Sequence, residues 1–220
     1  MMRTKCILTT LLVFVILSCQ KGSSNKVELE RYIKGQNLIS KKLPKIKITL
    51  DESFAYQGKF DFKISDIAKG ERYIFVDSDN YKVKRMFMAQ FEGFLASNDE
   101  FYRYSFANAM KIGNHKFRQN TYAYSNSESI AMNPEGEAAL TFKLLTDKGF
   151  TIEDEMMMSR FVTVAGEERK HELILFYVEN VSESGHKLIE FYEDDTETQI
   201  WQDISKHLTE RSLQNFEIIE

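Results

Sequence analysis

The sequence predicts an α+β domain: a curved, mainly antiparallel sheet with an N-terminal, a central and a C-terminal helix packed on it. Three observations lead there. Period-two alternation of apolar and polar residues dominates the middle of the chain. Two later segments carry helix-start chemistry, Asn133-Pro134 and Thr196 with Gln199. No glycine-rich strand-to-helix turn marks a parallel nucleotide-binding sheet.

The chain opens with Arg3 and Lys5, continues through a mostly apolar stretch from Cys6, and closes on Ile16-Leu17-Ser18-Cys19. A basic start, a short apolar core and a small residue before the cut describe an exported precursor. Its apolar run of 13 residues, 6–18, is short of the roughly 20 that a membrane-spanning helix needs. The ending resembles the lipobox of bacterial lipoproteins, with Ile16 and Ser18 matching and Leu17 departing from the smaller residue usual there. The resemblance implies a signal peptide over 1–18, lipid attachment at Cys19 and residence in the bacterial cell envelope. Gln20 and Lys21 lack the acid associated with inner-membrane retention, which points to the outer membrane facing the periplasm. An ordinary secretory signal cut elsewhere is the competing reading, with Cys19 incidental. Residues 20–26, rich in Lys, Gly, Ser and Asn, read as a tether, and 27–220 as a single α+β domain.

Cys6 and Cys19 are the only cysteines, so a mature domain must fold without disulfides. About 190 residues can bury a sufficient core unaided. Removing Arg3 and Lys5 leaves 27 basic against 33 acidic residues, a net charge near −6. That balance gives no counterion-release drive toward nucleic acid, and membrane attachment is then expected through N-terminal acyl chains.

Within the domain, 27–42 reads as the N-terminal helix, with Leu29, Ile33 and Leu38-Ile39 near helical spacing and Pro44 beyond its end. From Ile46 the period becomes two. Phe54, Tyr56, Phe60, Phe62 and Ile64 form one row, with Gly58 marking a bulge. Residues 72–77, the turn Ser78-Asp79-Asn80 and a long strand from Tyr81 read as an antiparallel hairpin. In its second arm Tyr81, Val83, Phe87, Ala89, Phe91 and Leu95 share a face that Arg85 interrupts. Strands are expected at 101–106 and 116–124, then a loop over 125–132. The central helix is expected from Asn133-Pro134 to Gly149. Three strands follow at 156–165, 172–179 and 187–192, the middle one apolar on both faces and therefore central. The C-terminal helix begins near Thr196 and buries Ile200, Trp201, Ile204 and Leu208.

Motifs for chemistry are sparse. The four histidines are far apart, His171-Glu172 has Leu175 where a zinc-protease helix needs its second His, and a thiolate zinc site has no cysteines to use. Asp77-Ser78-Asp79-Asn80 starts like a calcium loop, but Tyr81 and Lys82 break the pattern and a hairpin turn explains it better. There is no nucleophile elbow and no P-loop. Neither a cofactor nor a metal is implied, and no catalytic residue stands out.

One strand face is less ordinary. Met86, Met88, Gln90, Glu92 and Phe94 lie opposite the Phe row, where a solvent face would read Lys, Glu and Thr. With Tyr102, Tyr104, Tyr122 and Tyr124 on following segments, this is the composition of a ligand cavity. Met88, Gln90, Glu92, Tyr102, Tyr104 and Tyr122 are the candidate ligand-binding residues. The plainer explanation is a helix covering this face, with Glu92 at the rim. Function then reads as a non-catalytic, lipid-anchored module that binds a small apolar ligand, a peptide or another envelope protein. The alternative is an envelope enzyme using carboxylates or tyrosines on a cell-wall, glycan or lipid substrate. A third reading is an assembly lipoprotein acting through its outer surface.

Overall fold

The computed structural model describes residues 30–219. The proposed signal peptide, Cys19 and the tether lie outside the described residues. Thirteen strands and three α-helices follow in chain order: β1 Arg31–Lys34, β2 Asn37–Ser40, β3 Ile46–Leu50, β4 Ala55–Ile64, β5 Ala68–Asp79, β6 Lys82–Phe94, β7 Met110–Ile112, β8 His115–Ser125, α1 Asn126–Met132, α2 Glu137–Thr146, β9 Glu155–Ala165, β10 His171–Asn180, β11 Tyr192–Glu193, β12 Thr196–Glu197, α3 Gln199–Gln214 and β13 Phe216–Ile219. The fold is α+β.

Seven strands form one antiparallel sheet in the order β4-β5-β6-β10-β9-β8-β7. The central strand is β10, buried along nearly its whole length, as its two apolar faces require. One face of this sheet packs against a four-stranded sheet, β1-β2-β3-β13, and against α3. Phe75, Phe87, Phe91, Phe161, Leu173 and Leu175 meet Leu38, Ile48, Trp201 and Leu208 there. The other face, with Ile74, Met86, Met88, Met158, Ile174, Phe176 and Val178, lies under α1 and α2, and Leu145 of α2 is fully buried in it.

Two bulges decide which side chains reach which face. Between Tyr56 and Gly58 the β4–β5 register shifts, so Tyr56 stacks near Phe75 on the α3 side while Phe60 joins the α2 side. Gly58 takes φ 142°, a conformation that other residues rarely adopt. Between Asp77 and Ser78 the register with β6 shifts again, leaving Lys84 unpaired. Val83 therefore joins Met86 and Met88, not the Phe87–Ala89–Phe91 row in which simple alternation places it. The β5–β6 turn is made by Asn80 and Tyr81, both at positive φ.

Five expectations are corrected. The N-terminal helix is instead the β1–β2 hairpin. Gly35, at φ 57°, supplies its tight turn, and Ile33 pairs with Leu38 across it. A glycine inside a helix costs about 1 kcal/mol, whereas this turn needs one. The segment 101–106 pairs with no strand; Arg169 holds it by donating to the carbonyls of Tyr102 and Tyr104, each at 2.9 Å. The loop expected at 125–132 is α1, capped by Ser125, whose Oγ accepts from the Glu128 N–H. The central helix consequently starts at Glu137, not at Pro134, and Asn133 closes α1. Residues 187–192 form a 3₁₀ turn, Leu188–Glu190, leading into β11.

The C-terminal helix is as expected but is capped by Thr198, whose Oγ1 accepts from the Trp201 N–H at 3.3 Å. Trp201 and Leu208 are buried and Ile204 partly so, while Ile200 faces out.

Candidate functional site

From Met86 onward the even-numbered residues of β6 point to the face under α1 and α2. Met86 and Met88 lie opposite Val178 and Phe176 of β10, and beyond them Met158 of β9 lies opposite Tyr122 of β8. These side chains form a floor. The roof comes from Asn126, Ser129 and Met132 on α1 and Ala138, Thr141 and Phe142 on α2. The two helices touch each other but do not press onto the floor everywhere, and a cavity of about 410 Å³ remains between the layers. Its size falls within the range of small-molecule pockets.

Arg72 of β5 reaches into this layer and is only 8% exposed. Its cross-strand neighbour is Gln90, whose Oε1 accepts from Arg72 Nε at 2.5 Å. Nη1 donates to the Glu137 carbonyl at 3.2 Å and to Thr141 Oγ1 at 3.0 Å, tying the sheet to the first turn of α2. The guanidinium lies over the rings of Phe176 and Phe60, at 5.1 and 5.9 Å. Burial pulls the Arg72 pKa down to about 10, so it remains charged at neutral pH. Among the described residues no carboxylate forms an ion pair with it; Glu137 and Glu92 act on it only through their fields. Tyr122 and Tyr124 lie near the same charge, and burial raises the pKa of both phenols.

From Gln90 a polar chain runs to the end of the sheet. Gln90 Nε2 donates to Glu92, and the Tyr102 hydroxyl donates to the other Glu92 oxygen at 3.4 Å. Opposite Glu92 on β10 stands Glu172, 3% exposed, with its Oε2 lacking a hydrogen-bond partner among the described residues. Burial first, and the Glu92 carboxylate second, push the Glu172 pKa up to about 8. Arg160 and the Tyr104 hydroxyl beside it only partly offset this. A proton held by Glu172 at neutral pH relieves the repulsion between them.

The six predicted binding residues thus separate into two groups. Met88 and Tyr122 line the cavity. Gln90 is buried beneath it as a partner of Arg72, and Glu92, Tyr102 and Tyr104 gather around Glu172 at the sheet end. Sequence reasoning missed Arg72, although it occupies the same alternating row as Ile74 and Val76. A single cation in an apolar row is the signal, and it was read only at Arg85. That residue turns out to be held at the rim by Asp77, with 2.8 and 2.5 Å bonds, and by Asn215 at 2.9 Å.

A second cleft of about 680 Å³ lies beside α3 and contains Asp77, Arg85, Tyr177, Glu179, His207 and Arg211. Its charges satisfy one another: Arg211 grips Glu179 through three contacts of 2.6–3.2 Å, and the Tyr177 hydroxyl adds a fourth at 2.6 Å. It reads as a self-contained network. Among the described residues no cluster of three or more metal-ligating side chains occurs, and no helix is long and apolar enough to cross a membrane. Comparison with protein-family models, with curated proteins and with solved structures finds no match to this chain.

Proposed function

We propose that this protein is a lipid-anchored component of a bacterial cell envelope whose folded part is a non-catalytic binding module for a small apolar molecule. The observation that carries the reading is the cavity under α1 and α2. Its wall is methionine and aromatic, and the half-buried Tyr122 and Tyr124, whose hydroxyls form no hydrogen bond among the described residues, stand at its edge. Methionine walls adapt to varied ligand shapes. The volume favours a small molecule over a peptide or a protein segment.

The anchoring half of the proposal rests on the segment ending at Cys19, with the outer membrane, periplasmic side, as the destination. Palmitate labelling of wild type and Cys19→Ala tests it: label is expected in the first and absent in the second, and equal labelling removes the anchor. Native mass spectrometry of the purified protein tests the module. A co-purifying mass that Met88→Trp displaces supports it; wild type without bound mass, and without thermal shift toward any lipid, contradicts it.

The enzyme reading draws on Glu172, a buried carboxyl with a raised pKa beside tyrosines, which is the kind of group that acts as a general acid. Against it, Glu92 and Glu172 are direct cross-strand neighbours on one sheet face, whereas glycosidase pairs face each other across a cleft, about 5–9 Å apart, that admits a substrate bond or water. Their arrangement supports proton storage inside the fold. Hydrolysis of envelope glycans or lipids that Glu172→Gln abolishes would favour the enzyme.

A further inference from the structure

We infer that the ligand of this cavity is an amphiphile with a single carboxylate head, seated against Arg72, with its chain along the methionine floor. The inference rests on the binding-module reading and narrows it to one chemical class.

The first support is charge. Arg72 is buried, cationic and without an ion-pair partner among the described residues. An unpaired buried charge is among the costlier features a fold can carry. Gln90, the Glu137 carbonyl and Thr141 supply hydrogen bonds but no formal negative charge. The two nearest carboxylates belong elsewhere: Glu92 is engaged by Gln90 and Tyr102, and Glu137 makes no ion pair with Arg72. A single negative charge on a ligand would balance Arg72.

The second support is the count of donors. Arg72 Nε and Nη1 are committed to Gln90, Glu137 and Thr141, so the free part of the guanidinium is Nη2. Its two N–H groups and the hydroxyls of Tyr122 and Tyr124 make four donors without partners among the described residues. A carboxylate presents about four lone-pair sites and no proton to donate, so it matches this set. A phosphate dianion would bring a second negative charge that nothing here neutralises.

The third support is what surrounds the head. Met86, Met88, Met158, Phe176, Phe142 and Ile152 offer an apolar enclosure for a chain, and the polar roof residues Asn126 and Ser129 already donate to the Glu153 and Ser125 carbonyls. This combination orients a ligand with its head at Arg72.

Calorimetric titration of decanoate, decanol and decyl phosphate into the chain from residue 19 onward, bearing Cys19→Ala so that it carries no acyl group, tests the inference. Decanoate is expected to bind, and decanol to bind about 10–100-fold more weakly, the ratio expected for one charge-assisted hydrogen bond to a buried group. In Arg72→Met the two should bind alike. In Tyr122→Phe/Tyr124→Phe decanoate should weaken while decanol should not. Decanol as tight as decanoate in wild type overturns the anionic head and leaves the binding module standing. Decyl phosphate as tight as decanoate overturns the carboxylate assignment. No binding of any of the three overturns the inference and, together with the absence of a co-purified mass, the module itself. The three-ligand comparison needs wild type alone, so a misfolded Arg72→Met does not weaken the test.

Discussion

Glu92 of β6 and Glu172 of β10 stand directly opposite each other in an antiparallel pair, two carboxyls on one buried sheet face. Burial of Glu172, and then the charge of Glu92 beside it, make the fold a proton acceptor. The Glu172 pKa rises from 4.5 to about 8 on folding, so between those values the folded chain holds a proton that the unfolded chain has released. The contribution of Glu172 to stability is then full below about pH 4.5 and falls as pH rises, by about 1.4 kcal/mol per pH unit, until its loss is complete near pH 8. Glu172→Gln keeps the shape and cannot ionise. Its melting temperature should fall less than that of wild type between about pH 5 and about pH 9, and should exceed it at the upper end. Parallel melting curves for the two proteins would show that the pair does not store this proton.

Met88 tests how the cavity is built. It is 3% exposed and belongs to the α2-side core, yet it also borders the void. Met88→Ala should cost about 2 kcal/mol, the low end for a core truncation, because part of its surface already lacks neighbours. Met88→Phe should fill space at a cost below about 1.5 kcal/mol and reduce ligand uptake. A loss near 5 kcal/mol for the alanine variant in urea unfolding would mean that the layers close on this residue more tightly than described.

The Glu179–Arg211 pair anchors α3 to β10. Glu179 is 5% exposed and accepts from both Arg211 and Tyr177. Arg211→Ala should destabilise by about 3 kcal/mol, since it strands a buried carboxylate, while Glu179→Gln/Arg211→Met should recover most of that. A double variant no better than Arg211→Ala would place the value of the site in the arginine's packing and not in its charge.

Trp201 is the chain's single tryptophan, fully buried against Phe191 and Tyr192, with its Nε1 unpaired among the described residues. Its fluorescence should be blue-shifted in the folded protein and move to the red on unfolding. Because no hydrogen bond is lost, Trp201→Phe should cost only the smaller ring, about 1–2 kcal/mol, against about 3–5 kcal/mol for Trp201→Ala. A phenylalanine variant as unstable as the alanine one would mean that the indole N–H has a partner, such as a buried water.

Local chemistry made much of the large sheet legible. The alternation of β4, the turn between β5 and β6, the two-faced burial of β10 and the threonine-capped start of α3 each follow from residues within one segment. One missed element was legible too. Ser125-Asn126-Ser127-Glu128 has capping-box spacing, and the Asn133-Pro134 signal beyond it drew the helix start to the wrong place. The candidate site was half legible: Met88 and Tyr122 declare a mixed apolar face, but Arg72 acquires meaning only when Gln90, Thr141 and Glu137 close around it from other elements.

By itself the sequence determined the fold class, the period of its strands and the amphipathic stripe of α3, because propensity, turn residues and caps act over a few neighbours. Tertiary structure decided the rest. The segment 27–42 became a hairpin because Leu38 could be buried against β3 and the large sheet, a partner distant in sequence. The bulges at Gly58 and Lys84 moved Phe60 and Val83 to the opposite face from the one alternation gives them, since one extra residue inverts every side chain beyond it. Which helix lies over which face, and how far α1 and α2 stand off the methionine floor, depends on contacts among β6, β8, β9 and β10 that no local pattern encodes. The cavity and the unpaired charge of Arg72 both arise from that separation.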